Sequence, residues 1–485
     1  VPPGVPAHVR ETMGRFGRLQ LHRDDDGGLV LEAHTALLMR ELRGIRKVKP
    51  FIGPRIDPTH SRIDEAHRGE LKQSLIKAGH PVQDLAGFVD GTPLDVALRQ
   101  PSLRGQTWDA RAYQHQAVAA FLAGPTGTSV DGGSGVIVLP CGAGKTIVGI
   151  MALAKMGMNT LILCTNTTAL RQWRDEILDR TTLTEDDVGE YSGSRKHICP
   201  VTLTTYQMLT WRPSKTAEFV HFSLFDREDW GLIIYDEVHL LPAPVFRSVA
   251  RIQARRRLGL TATLVREDSL ETDVFALIGP KRFDVPWKDL ERQGWIATAH
   301  CVELRVPLQG GDRLDYAVAE ERDRYRIAST NPAKLGVVAN ILTEWTGARI
   351  LVIGMYLHQL RLIAEAHGAP LITGKTPQSK RDQLFNEFRS GEHKVLVLSK
   401  VGNFSVDLPD ATVCIQVSGT WGSRQEEAQR LGRVLRPKED GGSASFYTVV
   451  SRDTVEQDFA ERRQLFLAEQ GYAYTIQIAD PGADE

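Results

Sequence analysis

From Gly135 onward the chain alternates short apolar runs with amphipathic stretches, and this rhythm leaves few folds open. The runs fall into two series. The first reads VIVLP (136–140), TLILC (160–164), VTLTT (201–205), LIIYD (232–236) and LGLTA (258–262). The second reads RILVIG (349–354), PLIT (370–373), KVLVLS (394–399), TVCIQV (412–417) and SFYTVV (445–450). Apolar runs separated by helical patterns predict parallel sheets flanked by helices, so two series of five predict two similar α/β lobes. At 485 residues the chain is also too long for a single core.

The expected organisation is a small α+β module over 1–100, a first lobe over 101–280 and a second over 281–485. The module is read from two strand-like pieces, GRLQLHR and GGLVLEA, and two amphipathic stretches, HTALLMRELRG and RGELKQSLIKAG. The polar stretch PSLRGQTWD separates it from the first lobe. Residues 308–332, bracketed by GG and NP turn signals, read as a charged helical insertion whose plainest role is a solvated connector.

Composition narrows the function classes. With 42% hydrophobic and 25% charged residues the chain is ordinary globular protein, and no apolar run approaches the ~20 residues of a membrane span. The net charge of −1 neither demands nor excludes a nucleic-acid partner, because basic residues can be confined to one channel. Cys141, Cys164, Cys199, Cys301 and Cys414 contain no CxxC pair, and the fourteen histidines contain no HxxxH pair. No disulfide framework, zinc ribbon or structural metal is therefore expected, and a reducing, cytoplasmic setting is. The opening VPPGVPAHVRETM has no signal-peptide pattern, and its lack of an initiator Met leads us to expect a preceding segment.

Three constellations carry chemistry. In PCGAGKT an apolar strand runs through a loop holding Gly142, Ala143 and Gly144 into an apolar helix. Backbone N–H groups at such a helix start face an anion, Lys145 adds a mobile charge, and Thr146 offers a hydroxyl to nucleotide-bound Mg2+. The position five before Gly144 is Leu139, where the common phosphate-loop pattern has glycine. Downstream, GLIIYDEVHLL puts Asp236 and Glu237 at the end of a strand. Asp236 is the expected magnesium ligand and Glu237 the group that orients and deprotonates an attacking water; the alternative for the pair taken alone is a cap on the next helix. SRQEEAQRLGRVLRPK holds Gln429, Arg430, Arg433 and Arg436; on a helix Gln429 and Arg433 lie four apart on one face, and Arg433 and Arg436 are neighbours across one turn. A basic face is usually just solvated, but a second lobe with no phosphate loop of its own suits arginines that reach a nucleotide held by the first.

Together these residues resemble the superfamily 2 helicases, and in detail the XPB-type (xeroderma pigmentosum group B) DNA helicases. The resemblance runs from Arg111 to Tyr474. It rests on RAYQHQA, PCGAGKT, LILCTNTTALRQW, DEVH, LTAT, TATLVRED, SKVGNFSVDLP and QRLGRVLR. It implies two RecA-like domains in tandem, ATP and Mg2+ as cofactors, and 3′–5′ movement on DNA at single-strand/duplex junctions. It further implies adenine contacts from Arg111 and Gln114, a nucleotide role for Asp407 and a backbone role for Gly402. Arg266, Glu267 and Asp268 would act in DNA unwinding. The insertion would correspond to a thumb-like element, and residues 1–100 to the damage-recognition position, where Arg40, Arg43, Arg46, Lys47 and Lys49 are candidate phosphate contacts. A role in nucleotide excision repair, a nuclease or repair partner, and a cytoplasmic, nucleoid-associated location follow from the same resemblance. A duplex-DNA translocase that does not separate strands, an RNA substrate and a scaffold with a decayed ATPase remain the alternatives.

Overall fold

The computed structural model describes residues 18–24, 26–64, 67–80, 82–84, 91–123, 132–140, 142–214, 219–221, 224, 229–241, 254, 256–262, 271–399, 411–419, 431 and 443–479. They form a small sheet followed by two seven-stranded sheets. The chain divides into two compact units. One holds Val1–Ile137, Thr146–Thr261 and Leu270–Phe283; the other holds Val138–Lys145, Ala262–Ser269 and Asp284–Glu485. No helix among the described residues is long and apolar enough to cross a membrane.

The small sheet contains β1 (Leu19–Arg23), β2 (Leu29–Ala33), β3 (His60–Arg62) and β4 (Gln83–Asp84) in the order β3-β2-β1-β4. β2 runs antiparallel to both β1 and β3, and β4 parallel to β1. Leu19, Leu21, Leu29 and Leu31 on one face bury against Met39 and Leu42 of the helix Ala36–Gly44 and Leu71 and Leu75 of the helix Arg68–Lys77. Of the five basic residues expected to meet phosphate, Arg43 is committed elsewhere: its guanidinium donates to the Gly53 carbonyl and the Ser61 hydroxyl, both at 2.9 Å. Arg40, Arg46, Lys47 and Lys49 are exposed.

The stretch that reads as a polar connector is docked on the first lobe. Arg99 N–H donates to the Arg180 carbonyl at 2.8 Å, Leu103 N–H to the Asp179 carbonyl at 2.7 Å, and Arg104 N–H to the Asp179 carboxylate at 2.9 Å. The Arg180 guanidinium lies 4.8 Å above the Trp108 ring.

The first large sheet contains β5 (Ser134–Val138), β6 (Thr160–Cys164), β7 (Val188–Tyr191), β8 (Val201–Thr205), β9 (Leu232–Asp236), β10 (Arg256–Thr261) and β11 (Lys281–Asp284), ordered β11-β5-β10-β9-β6-β8-β7. The second contains β12 (Ala299–Val306), β13 (Ile350–Ile353), β14 (Leu371–Ile372), β15 (Val395–Leu398), β16 (Val413–Gln416), β17 (Ala444–Ser451) and β18 (Tyr474–Ile478), ordered β14-β15-β13-β16-β17-β12-β18. All six of its pairings are parallel. Its central strands are buried along their whole length, as helices on both faces require. Both large sheets are RecA-like, and each of the ten apolar runs read from the sequence overlaps a strand.

The insertion corrects one expectation. The helix Gly310–Val318 has no buried residue, but the helix Glu321–Ser329 is not a solvated connector. Tyr325 is buried, its hydroxyl donates to the Gly419 carbonyl, and its ring meets Phe459 edge to face at 5.0 Å. Beside it lies a buried ion pair. The Lys334 ammonium is 2.8 Å from both carboxylate oxygens of Glu456 and donates to the Val417 carbonyl at 2.9 Å. Glu456 also accepts the Ser451 N–H at 2.8 Å.

Candidate nucleotide site

β5 is buried up to Leu139, which has no exposed surface. The chain leaves the sheet at Pro140, whose carbonyl accepts the Ala143 N–H at 3.2 Å, and the helix Lys145–Met156 begins at once. Gly142 and Gly144 have φ of +80° and +77°, a region that costs an L side chain about 1–2 kcal/mol. The turn therefore dictates both glycines, whereas Leu139 belongs to the strand and sits in the core. Lys145 is the first helical residue and Thr146 the second, both half-buried. The N–H groups of a helix's first turn lack intrahelical partners, and with the helix dipole they favour an anion. Gly149 lets this helix approach the helix Thr167–Arg180: a Cβ there would lie 2.4 Å from the Trp173 ring.

The acid pair ends β9. Asp236 is half-buried at the strand terminus, and Glu237 sits at φ 48°, ψ 54°, a left-handed conformation for a non-glycine residue. Such strain concentrates at functional sites. Two buried groups hold the turn. The Tyr206 hydroxyl donates to the Asp236 carbonyl at 2.8 Å, and the His239 ring nitrogen Nδ1 lies 2.6 Å from Thr261 Oγ1 and 3.5 Å from the Glu237 carboxylate. Burial pushes the Tyr206 phenol and the Cys164 thiol well above their ordinary values, and the negative charge of Asp236 pushes both further. The strand end is thus electronegative and lined with oxygen, an environment that suits a hard divalent cation. Tyr206, His239 and Thr261 were not singled out from sequence. His239 stands inside the DEVH motif, but its partner comes from the end of another strand.

At the start of the helix Ala112–Leu122, the Arg111 N–H donates to Gln114 Oε1 at 2.9 Å, and the Arg111 guanidinium to the Tyr113 hydroxyl at 2.9 Å. Gln114 is buried, and its carbonyl oxygen closes the first turn.

Strand order brings the two main constellations together. In the parallel sheet, β10 alone separates β5 from β9. Strands β5 and β9, which lead into the glycine loop and the acid turn, therefore end at the same edge of one sheet, where nucleotides bind in open α/β sheets. Gly402, Asp407, Gln429, Arg430, Arg433 and Arg436, like Arg266, Glu267 and Asp268, lie outside the described residues.

Comparison with known proteins identifies the lineage. Residues 290–485 match the ERCC3/RAD25/XPB C-terminal helicase family, and residues 107–266 match the family of type III restriction enzyme res subunits. The chain is 56% identical to DNA 3′–5′ helicase XPB of Kineococcus radiotolerans, over 99% of this chain and 84% of that one. The chain belongs to the XPB helicase family. Another member, DNA 3′–5′ helicase XPB of Mycobacterium tuberculosis, is 54% identical over 99% of this chain and 85% of its own. The Saccharomyces cerevisiae helicase/translocase subunit XPB/SSL2 of general transcription and DNA repair factor IIH is 39% identical over 71% of this chain and 42% of its own. Among solved structures, an HsdR fragment of a type I restriction enzyme from Vibrio vulnificus aligns with a TM-score of 0.55 at 18% identity, covering 76% of this chain and 69% of that one. Dbp5 of S. cerevisiae, bound to RNA and ADP–BeF3, aligns at 0.53 and 12% identity, covering 76% and 90%. At these identities the structural likeness speaks for the RecA-like fold of this XPB-family chain and for nothing finer.

Proposed function

We propose that the chain is an ATP-driven 3′–5′ DNA motor, a helicase or translocase. The observation that carries this reading is that the strands leading into the glycine loop and the strained acid turn end at one edge of one sheet. Lys145 and the N–H groups of Gly142, Ala143 and Gly144 bind and orient the terminal phosphates. Thr146 and Asp236 are the oxygen donors that would hold Mg2+, which neutralises phosphate charge when bound. Glu237, held by its turn, orients the attacking water and accepts its proton. Gln114, whose Oε1 closes the helix cap, is assigned to the adenine edge, and Arg111 supports the turn. Arg433 and Arg436 are assigned to transition-state charge, Asp407 and Gln429 to further nucleotide contacts, and Arg266, Glu267 and Asp268 to strand separation. DNA repair, with a nuclease or repair factor as partner, is the proposed setting, which places the work at the nucleoid.

Lys145→Ala tests the site: ATP turnover in the purified variant should be lost, and near-normal turnover would sink the assignment. A second reading, movement along duplex DNA without strand separation, is favoured by the helicase/translocase name of the S. cerevisiae relative. Strand displacement and triplex displacement, compared on one preparation, separate the two readings.

A further inference from the structure

On the solvent-facing side of the small N-terminal sheet, three side chains from three adjacent strands converge. His22 comes from β1, Glu32 from β2 and His60 from β3. Register explains the meeting. Glu32 pairs directly with His60, and with Gln20, which places His22 diagonally opposite on the same face. Glu32 Oε2 lies 3.6 Å from His22 Nδ1, Glu32 Oε1 lies 3.8 Å from His60 Nε2, and all three ligand-type atoms fall within 4.8 Å of one another. In a tetrahedral site with bonds of ~2.0–2.1 Å, ligand atoms sit ~3.3 Å apart, so the side chains need only small inward rotations.

An ion-pair cluster would look similar but for Asp57. Asp57 Oδ2 is 2.7 Å from His60 Nδ1, while Oδ1 accepts N–H bonds from Thr59 at 2.7 Å and His60 at 2.8 Å. With a hydrogen on Nδ1 donated to that carboxylate, Nε2, on the Glu32 side, is the nitrogen left to ligate a metal. This is the carboxylate–histidine arrangement that orients imidazole toward a metal.

We infer that His22, Glu32 and His60 form a zinc-type site for a divalent transition metal, with Asp57 as the positioning residue and the solvent side open to water as fourth ligand. Two imidazoles and one carboxylate suit Zn2+ far better than Mg2+, which prefers an all-oxygen shell. Bound there, the metal clips β1, β2 and β3 together. The inference does not depend on the nucleotide site, and a sequence search for paired spacings misses it because each ligand comes from a different strand.

The test uses the full chain without nucleotide, with Mg2+ in excess, and zinc as the probe against a chromophoric chelator. The wild type should take up one equivalent of zinc more than the His22→Ala/His60→Ala variant. Co2+ should give tetrahedral visible absorption in the wild type alone. Asp57→Asn should keep the stoichiometry but weaken affinity about 10–100-fold. Zinc should slow hydrogen exchange in β1, β2 and β3 of the wild type and not of the double variant, whose half-exposed substitutions leave the core face untouched. Equal zinc uptake by wild type and double variant would overturn the proposal, as would an Asp57→Asn affinity equal to that of the wild type.

Discussion

Replacing Lys334 with Met and Glu456 with Leu, singly and together, tests whether the buried ion pair of the second large sheet is mutually compensating. Both residues are fully buried. Removing one partner of such a pair leaves an uncompensated buried charge, at a cost of about 3–5 kcal/mol. The two single variants should differ within that range. Burial is the main influence lowering the Lys334 pKa and Glu456 opposes it, but the nearby Arg463 charge lowers it too. In Lys334→Met the Glu456 carboxylate loses its partner, but the Arg463 charge that acts at the Lys334 ammonium remains nearby to offset it, so the loss should fall near ~3 kcal/mol. In Glu456→Leu, two cations are left together, so the loss should approach ~5 kcal/mol. The double variant leaves the Val417 carbonyl and Ser451 N–H without these partners, which costs about 1–3 kcal/mol each. Its total should still fall at least ~2 kcal/mol short of the sum of the single losses. Native-state hydrogen exchange on peptides covering Ala444–Ser451 and Val455–Glu469 measures these opening free energies in place. Losses that add to within ~0.5 kcal/mol would refute mutual compensation. Lys334→Met proving costlier than Glu456→Leu would refute the part given to Arg463.

Three further perturbations address the first lobe. Gly149→Ala sets a Cβ 2.4 Å from Trp173, and overpacking of about 1–3 kcal/mol should exceed the ~1 kcal/mol gained in helix propensity. Thermal unfolding should therefore shift down, and a stabilised variant would contradict the close approach. At Glu237, φ of 48° should invert the usual ranking of glycine and alanine. Glu237→Gly should be about 1 kcal/mol more stable than Glu237→Ala in urea, with both lacking turnover; the ordinary order would mean that the turn relaxes. Asp187 accepts bonds from the Thr184 N–H and hydroxyl, both at 2.8 Å, which lower its carboxyl pKa from 3.8. A depressed folded pKa contributes stability that is present above the unfolded value and lost as the pH falls through the folded one. The stability difference between wild type and Asp187→Asn should thus be fully present above the ordinary carboxylate value and shrink as the pH falls through and below it, and a constant difference would exclude this linkage.

Whether a feature is legible in the sequence depends on whether its cause is local. The apolar runs are legible because a strand buried on both faces shows its environment residue by residue, and the Gly142–Gly144 turn because positive φ admits few residue types. β12 is not legible in this way. It carries His300, Glu303 and Arg305 among its apolar residues, and the buried Glu303 is acceptable only because Arg305 and Gln464 donate to it, each at 2.6 Å. Gln464 lies on a distant helix, so nothing near β12 announces the compensation. The edge strands β7, β11 and β18 are short or exposed and give no apolar run at all. The acid turn divides along the same line. Asp236 and Glu237 can be read because the residues proposed to meet nucleotide are neighbours on one strand end. Tyr206 and Thr261, which hold that end in place, come from the segments following β8 and ending β10, and only strand order makes them neighbours. The proposed chemistry is written in contiguous motifs, but the strain at Glu237 persists only because non-contiguous bonds from other strands over-determine the turn.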